Sequence, residues 1–266
     1  MVRQIEDIKK ELEVFKYINF EEEGHKYFGH DAAQMTSVSK FKSWCKQPFN
    51  TEFISKMVAI KRGVTQESIL EEWDKKRLWG TTRGSAVHKF IENYYLDVKE
   101  DVVLDDWVMS LSDVDLKLYL SQLETCKSFF YKFLEDFPHL EPIATEVVVG
   151  DPDYLMAGTF DQLFYNTITN KVELWDWKTD SNLRLKERNK LKNSFKKFKA
   201  TNINVYTIQL NTYKHFLNKY TNLDVQTLNI MHMNADNDSY VIYNLENWDE
   251  LIKEGLNEYS KNNIAA

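Results

Sequence analysis

Two aromatic and β-branched segments, residues 154–165 and 172–179, flank a turn-like stretch at 166–171, and this pairing constrains the chain more than any other feature. Such a pair folds as a hairpin. Side chains alternate faces along a strand, so in Asp176-Trp177-Lys178-Thr179 the carboxylate and the ammonium share one face. Trp177, with Trp175, then belongs to the opposite, core-directed face. Cross-strand pairing carries Asp161, which closes the segment Gly158-Thr159-Phe160-Asp161, toward Asp176. Two carboxylates so placed suit a hard cation such as Mg²⁺, and a lysine beside it can orient or activate a water and offset charge on a phosphate. Taken alone, the same three residues also fit an ordinary hairpin carrying solvated charges.

Further polar groups precede and follow this hairpin. Gly84-Ser85-Ala86-Val87-His88 opens an expected helix on which His88 and Glu92 lie one turn apart. A neutral imidazole can ligate Mn²⁺ or Mg²⁺ when carboxylates supply the other donors. Residues 144–149 read as a strand with a single acid, Glu146. Gln209 and Tyr213, four apart on an expected helix over 204–219, can hold a phosphate oxygen or orient a lysine, or can simply pack that helix. His25, His30, His139, His215 and His232 fall outside these patterns, and Trp73, Trp79, Trp107 and Trp248 read as core anchors.

In this order the motifs resemble the RecB-like branch of the PD-(D/E)xK nucleases. The matching residues are Gly84 to His88, the strand acid Glu146, Gly158 to Asp161, Asp176 to Thr179, and Gln209 to Tyr213. The N-terminal segments 22–28 and 36–40 are similar to phage-encoded members and to mitochondrial genome-maintenance exonucleases. The resemblance implies a mixed α/β fold: a restriction-endonuclease-like core with a central sheet flanked by helices and a helical N-terminal half. It implies metal ligation by His88, Asp161, Asp176 and the Trp177 carbonyl, one or two Mg²⁺ or Mn²⁺ ions with Glu146 serving the second, and water positioning by Lys178. Gln209 and Tyr213 complete the catalytic set. Asp161→Asn, Asp176→Ala or Lys178→Ala should then abolish cleavage and leave the fold nearly intact.

The implied activity is ATP-independent, metal-dependent DNA exonuclease action on single-stranded or duplex ends, in phage-type recombination or replication. Its partners would be DNA and a single-strand annealing or recombination protein. An endonuclease of flap or restriction type on the same core, and a non-catalytic nucleic-acid-binding module, are the competing readings. The complete set of His88, Asp161, Asp176 and Lys178 speaks against the last.

Charge bears on the substrate. The chain is acidic overall, with 34 Lys and Arg against 41 Asp and Glu. Residues 183–199 nevertheless hold Arg184, Lys186, Arg188, Lys190, Lys192, Lys196, Lys197 and Lys199 against the single acid Glu187. Following the Asp176/Lys178 strand directly, this insertion reads as a basic arch at the mouth of a site, with Phe195 and Phe198 able to stack on unpaired bases. A solvated helix with an apolar stripe is the plainer alternative.

The length of 266 residues fits a single domain, with an N-terminal strand and helical extension over 1–83 and the core over 84–266. Helices are expected over 3–17, from Ser37 to Trp79 with breaks at Pro48 and Gly63, and over 84–97, 113–135 and 246–261. Further strands are expected at 143–150, 226–233 and 239–244. No apolar run could cross a bilayer and the first ten residues are too charged for a secretory signal, which implies a cytoplasmic protein of a bacterial or phage-infected cell. Two cysteines, Cys45 and Cys126, cannot supply a four-cysteine iron–sulfur cluster, and no phosphate-binding GxxxxGK[ST] loop for ATP is present.

Overall fold

Strands buried on both faces build the centre of the molecule. In the computed structural model, which describes residues 5–180, 183 and 186–264, the strands are β1 (Asn19–Glu21), β2 (Lys26–Phe28), β3 (Gln34–Ser37), β4 (Leu140–Asp151), β5 (Met156–Asn166), β6 (Lys171–Lys178), β7 (Val225–His232) and β8 (Val241–Asn244). They form one mixed sheet in the order β1-β2-β3-β5-β6-β7-β8, with β4 also paired to β5. The expected hairpin is β5 and β6, antiparallel, with Gln162 opposite Trp175 and Asn166 opposite Lys171. β3 joins β5 and β7 joins β6 in parallel.

Helices cover both faces: α1 (Ile5–Glu11), α2 (Val38–Trp44), α3 (Thr51–Arg62), α4 (Gln66–Tyr95), α5 (Asp106–Met109), α6 (Asp113–Asp136), α7 (Asn202–Tyr220) and α8 (Asp249–Ile264). Leu174, Leu228 and Ile230 join one core with Phe41 of α2, Ile208 and Phe216 of α7 and Ile252 of α8. Trp175, Trp177 and Met231 join a second core with Val87 and Ile91 of α4 and Phe130 and Phe133 of α6. The alternation of Leu174 with Trp175 and Trp177 between two cores is what a strand buried on both faces requires.

Three expectations are corrected. First, the helix carrying His88 begins at Gln66, capped by the Thr65 hydroxyl, and runs unbroken through Gly80 and Gly84, so position 84 is no helix start. Each interior glycine costs about 1 kcal/mol relative to alanine, which tertiary packing of Ile69, Val87 and Ile91 outweighs. Second, β3 is absent from the expected strands; four residues are too short to show a period, and they are defined by pairing of Gln34 and Met35 with β2 and of Thr36 and Ser37 with Met156 and Ala157 of β5. Third, the basic insertion is neither an open arch nor a helix where it is described. Lys190 bridges Lys199, Asn193–Phe195 form one 3₁₀ turn, and the Ser194 amide and hydroxyl both donate to Glu258 of α8 at 2.9 and 2.6 Å. Leu191 and Phe195 are buried, and Phe198 stacks on Trp248 at 4.0 Å, so neither phenylalanine is presented to a nucleic acid.

Trp248 is a core anchor as expected, whereas Trp73, Trp79 and Trp107 are half-buried. No helix among the described residues is long and apolar enough to cross a membrane.

Candidate active site where two strands part

Pairing between β5 and β6 ends at Gln162 and Trp175, and the site lies just beyond, where the strands separate. There side chains replace the missing ladder. The Trp177 amide donates to Asp161 Oδ2 at 2.8 Å, His88 Nε2 meets the Trp177 carbonyl at 2.8 Å, and Arg83 donates to the Thr179 carbonyl at 2.8 Å. Helix α4 thus grips alternate carbonyls of the strand through residues 83 and 88. Arg83 is buried at 2% exposure, and its other named partner is Gln122 at 2.6 Å.

His88 Nδ1 lies 3.6 Å from both Glu146 Oε1 and Asp161 Oδ2, and one donor atom from each of the three residues falls within 4.8 Å of the others. In the neutral form with its Nε2 proton on the Trp177 carbonyl, His88 would turn the Nδ1 lone pair toward the carboxylates, the orientation a ligating histidine needs. Burial lowers the His88 pKa, but the Asp161 and Glu146 carboxylates outweigh it and raise the value to about 9. The Trp177 carbonyl also accepts from Lys178 at 3.2 Å. This carbonyl therefore meets both His88 and Lys178.

Glu146 has φ +50 in the middle of β4, opposite Asp161. A left-handed conformation costs a non-glycine residue about 1–2 kcal/mol. Glu146→Gly is expected to melt at an unchanged or higher temperature, while its affinity for Mn²⁺, measured by titration calorimetry, falls at least several-fold. A clear drop in melting temperature would show that the carboxylate supports the fold.

Asp176 is 2% exposed and ion-paired through Oδ2 with Lys178, while its Oδ1 has no hydrogen-bond partner. Burial, then the charge of Asp161, raises its pKa to about 6 against the pull of Lys178. Burial opposes the charge on Lys178, but Asp176 and Asp161 hold its pKa above the usual lysine value. Because this pair is buried, alanine at either position strands the other charge, a loss that typically costs about 3–5 kcal/mol. The expectation of a nearly undisturbed fold therefore does not extend to Lys178→Ala or Asp176→Ala.

Gly158 explains how α7 reaches the site: a Cβ there would stand 2.8 Å from Tyr213 Cε1 and 3.2 Å from Val38 Cβ. Tyr213 is buried, with its hydroxyl 3.4 Å from Gln209 Nε2, and Gln209 Oε1 accepts from Lys42 at 2.6 Å. Lys42 is the site residue that sequence reasoning missed. It lies in α2, immediately after the N-terminal segment 36–40, but a single lysine among 34 basic residues carries no signal until α2 is docked on α7. Tyr206, also unforeseen, donates to Asp180 at 2.5 Å, and its ring is near both Lys42 and Lys178.

The structure therefore brings together His88, Glu146, Asp161, Asp176, the Trp177 backbone, Lys178, Gln209 and Tyr213. Glu92 instead pairs with Lys89 at 2.9 Å. Of the basic insertion, Lys186, Arg188, Lys190, Lys196, Lys197 and Lys199 are exposed and Lys192 is half-buried, whereas Arg184 lies outside the described residues. Glu187 and Asn189 of that insertion line a cavity of about 610 Å³ together with Asp180 and Lys46, which sets these two residues near the end of the Lys178 strand.

The donor set fits a divalent cation on its own chemistry. It combines an imidazole nitrogen with carboxylate oxygens, and Asp176 Oδ1 is buried without a hydrogen bond, while Oδ2 meets the Lys178 ammonium.

No protein-family profile matches the chain, and no curated protein matches it. Among the solved structures similar to it is a crystal structure described as a "putative exonuclease" from Eubacterium rectale, with 14% sequence identity and a TM-score of 0.47, covering 87% of this chain and 79% of that one. So distant a likeness carries no conclusion about the activity of this chain.

Proposed function

We propose that the chain is a divalent-metal-dependent deoxyribonuclease of the PD-(D/E)xK, RecB-like type, acting as an ATP-independent exonuclease on DNA ends. One observation carries the reading: His88, Glu146 and Asp161 converge within 4.8 Å beside the buried Asp176–Lys178 pair, where two strands part. Residues 1–83 and 84–266 act as one domain in this reading, because β3 extends the central sheet and α2 supplies a side chain to the site.

His88, Glu146, Asp161 and Asp176 would hold the Mg²⁺ or Mn²⁺. Bound there, such an ion supplies Lewis acidity toward phosphate oxygens and lowers the pKa of water. Asp161 uses one oxygen to fix the Trp177 amide, which holds the Asp176-Trp177-Lys178 backbone in place. Asp176 aligns the Lys178 ammonium, whose remaining donors orient the attacking water and offset charge gathering on the phosphate. Gln209 and Tyr213 close the site from α7, and the exposed lysines of the insertion attract the phosphate backbone. Cleavage of internal sites is the alternative activity on the same residues. A cytoplasmic role in phage-type recombination or replication, beside a single-strand annealing or recombination protein, completes the proposal.

The test compares end-labelled linear single-stranded and duplex DNA with closed circular DNA, in Mg²⁺, Mn²⁺ or EDTA. The expected result is metal-dependent loss of linear DNA only, with Lys178→Ala slower by about 10²–10⁴-fold. Melting curves for the variant separate lost chemistry from the stranded Asp176 charge. Cutting of circles would replace the exonuclease reading with the endonuclease one, and undiminished activity in the variant would remove Lys178 from the mechanism.

A further inference from the structure

Helix α2 places a second cation at the site. Lys42 Nζ is held by Gln209 Oε1 at 2.6 Å, and it lies 5.5 Å from the centre of the Tyr206 ring, whose centre is 5.1 Å from Lys178 Nζ. The two ammonium groups thus share one aromatic ring. Lys178 has Asp176 as its counter-ion, whereas Lys42 makes no ion pair with a carboxylate among the described residues. Burial, and next the charge of Lys178, push the Lys42 pKa down to about 8, so the charged form is disfavoured on both counts. A half-buried ammonium beside another cation, drawn back only in part by the charges of Asp176 and Asp161, is an unfavourable arrangement unless an anion joins the two. The hydrogen bond to Gln209 leaves two of its three donors for such an anion.

We infer that Lys42 is a substrate-binding residue that contacts a non-bridging phosphate oxygen of the nucleic-acid strand, next to the phosphate served by Lys178. This deepens the nuclease reading and rests on it. Lys178 acts at the phosphate being cleaved; Lys42 fixes the register of the strand beside it. Gln209 then becomes a positioning residue, since its amide oxygen aims Lys42 while its amide nitrogen meets the Tyr213 hydroxyl. The competing account makes Lys42 a structural brace for Gln209 and α7.

The two accounts part in the salt dependence of binding. A fluorescein-labelled single-stranded oligodeoxynucleotide is titrated with wild type, Lys42→Met, Lys42→Gln and Lys42→Arg in Ca²⁺ at several KCl concentrations, following anisotropy. Loss of one phosphate contact should lower the slope of log K against log salt by about 0.7 and weaken binding several-fold. Arginine should restore the slope, and the methionine and glutamine variants should melt no lower than wild type. An unchanged slope with a lowered melting temperature would overturn the proposal in favour of the brace. Should the methionine variant fail to fold, the glutamine variant, which retains a polar head, gives the same reading. Failure of the nuclease reading is separately visible: wild type would bind the oligonucleotide with the Lys42-dependent slope but cleave no DNA in Mg²⁺ or Mn²⁺. A wild type that binds no oligonucleotide would overturn both.

Discussion

Asp161→Asn is expected to fold normally and to lose metal-dependent DNA cleavage by about 10³-fold or more, the scale of losing a group that organises transition-state charge. The fold should survive because the asparagine carbonyl can still accept the Trp177 amide proton, the bond now made by Asp161 Oδ2 at 2.8 Å. The chemistry should not survive, because an amide is neutral and its other atom is a donor pointed at a group that must hold a cation. Asp161→Ala makes the instructive contrast. It removes the acceptor as well, leaving a buried backbone amide unsatisfied at a cost of about 1–3 kcal/mol. Initial rates on end-labelled DNA, Mn²⁺ titration calorimetry and thermal melting distinguish the two. An asparagine variant with wild-type rates would eliminate Asp161 as a ligand.

Trp177→Ala should lower stability by about 3–5 kcal/mol. Trp177 is 1% exposed and its ring sits among Phe130, Phe133, Phe164 and Trp175, with centroids 6.1, 5.6, 6.4 and 6.4 Å away. Those rings come from α6, β5 and β6, so the cavity would open where helix and sheet meet. Guanidinium unfolding should show a lower midpoint, and Trp177→Phe should recover part of it. A loss below about 1 kcal/mol would mean that the aromatic cluster relaxes to fill the gap. Activity is expected to fall with stability, because the same residue's amide and carbonyl hold Asp161 and His88.

Several elements are legible in the sequence because their signals are local. The β5–β6 hairpin shows its period and its turn, α6 and α7 show helical stripes close to their observed limits, and Asp176 and Lys178 must share a face once their strand is recognised. The misread elements fail for reasons equally physical. Gly80 and Gly84 look like a boundary because intrinsic propensity counts against them, yet α4 continues through them under the packing of its buried face. Phe195 and Phe198 look available for stacking because lysines surround them, but the lysines stay in solvent while Trp248 and α8 cover the rings.

By itself the sequence determined which groups are available and which of them share an element: the alternation that sends Trp177 to the core and Lys178 to the site, and the spacing that joins Gln209 to Tyr213. Only the tertiary structure decided what meets across elements. Glu146 reaches His88 because its backbone turns left-handed opposite Asp161, α4 replaces a missing ladder with Arg83 and His88, and α2 delivers Lys42 to Gln209 across 167 residues of chain. Local periodicity is set by backbone geometry and can be read in a line of residues, whereas a contact between distant segments exists only once burial has fixed both of them against the same sheet.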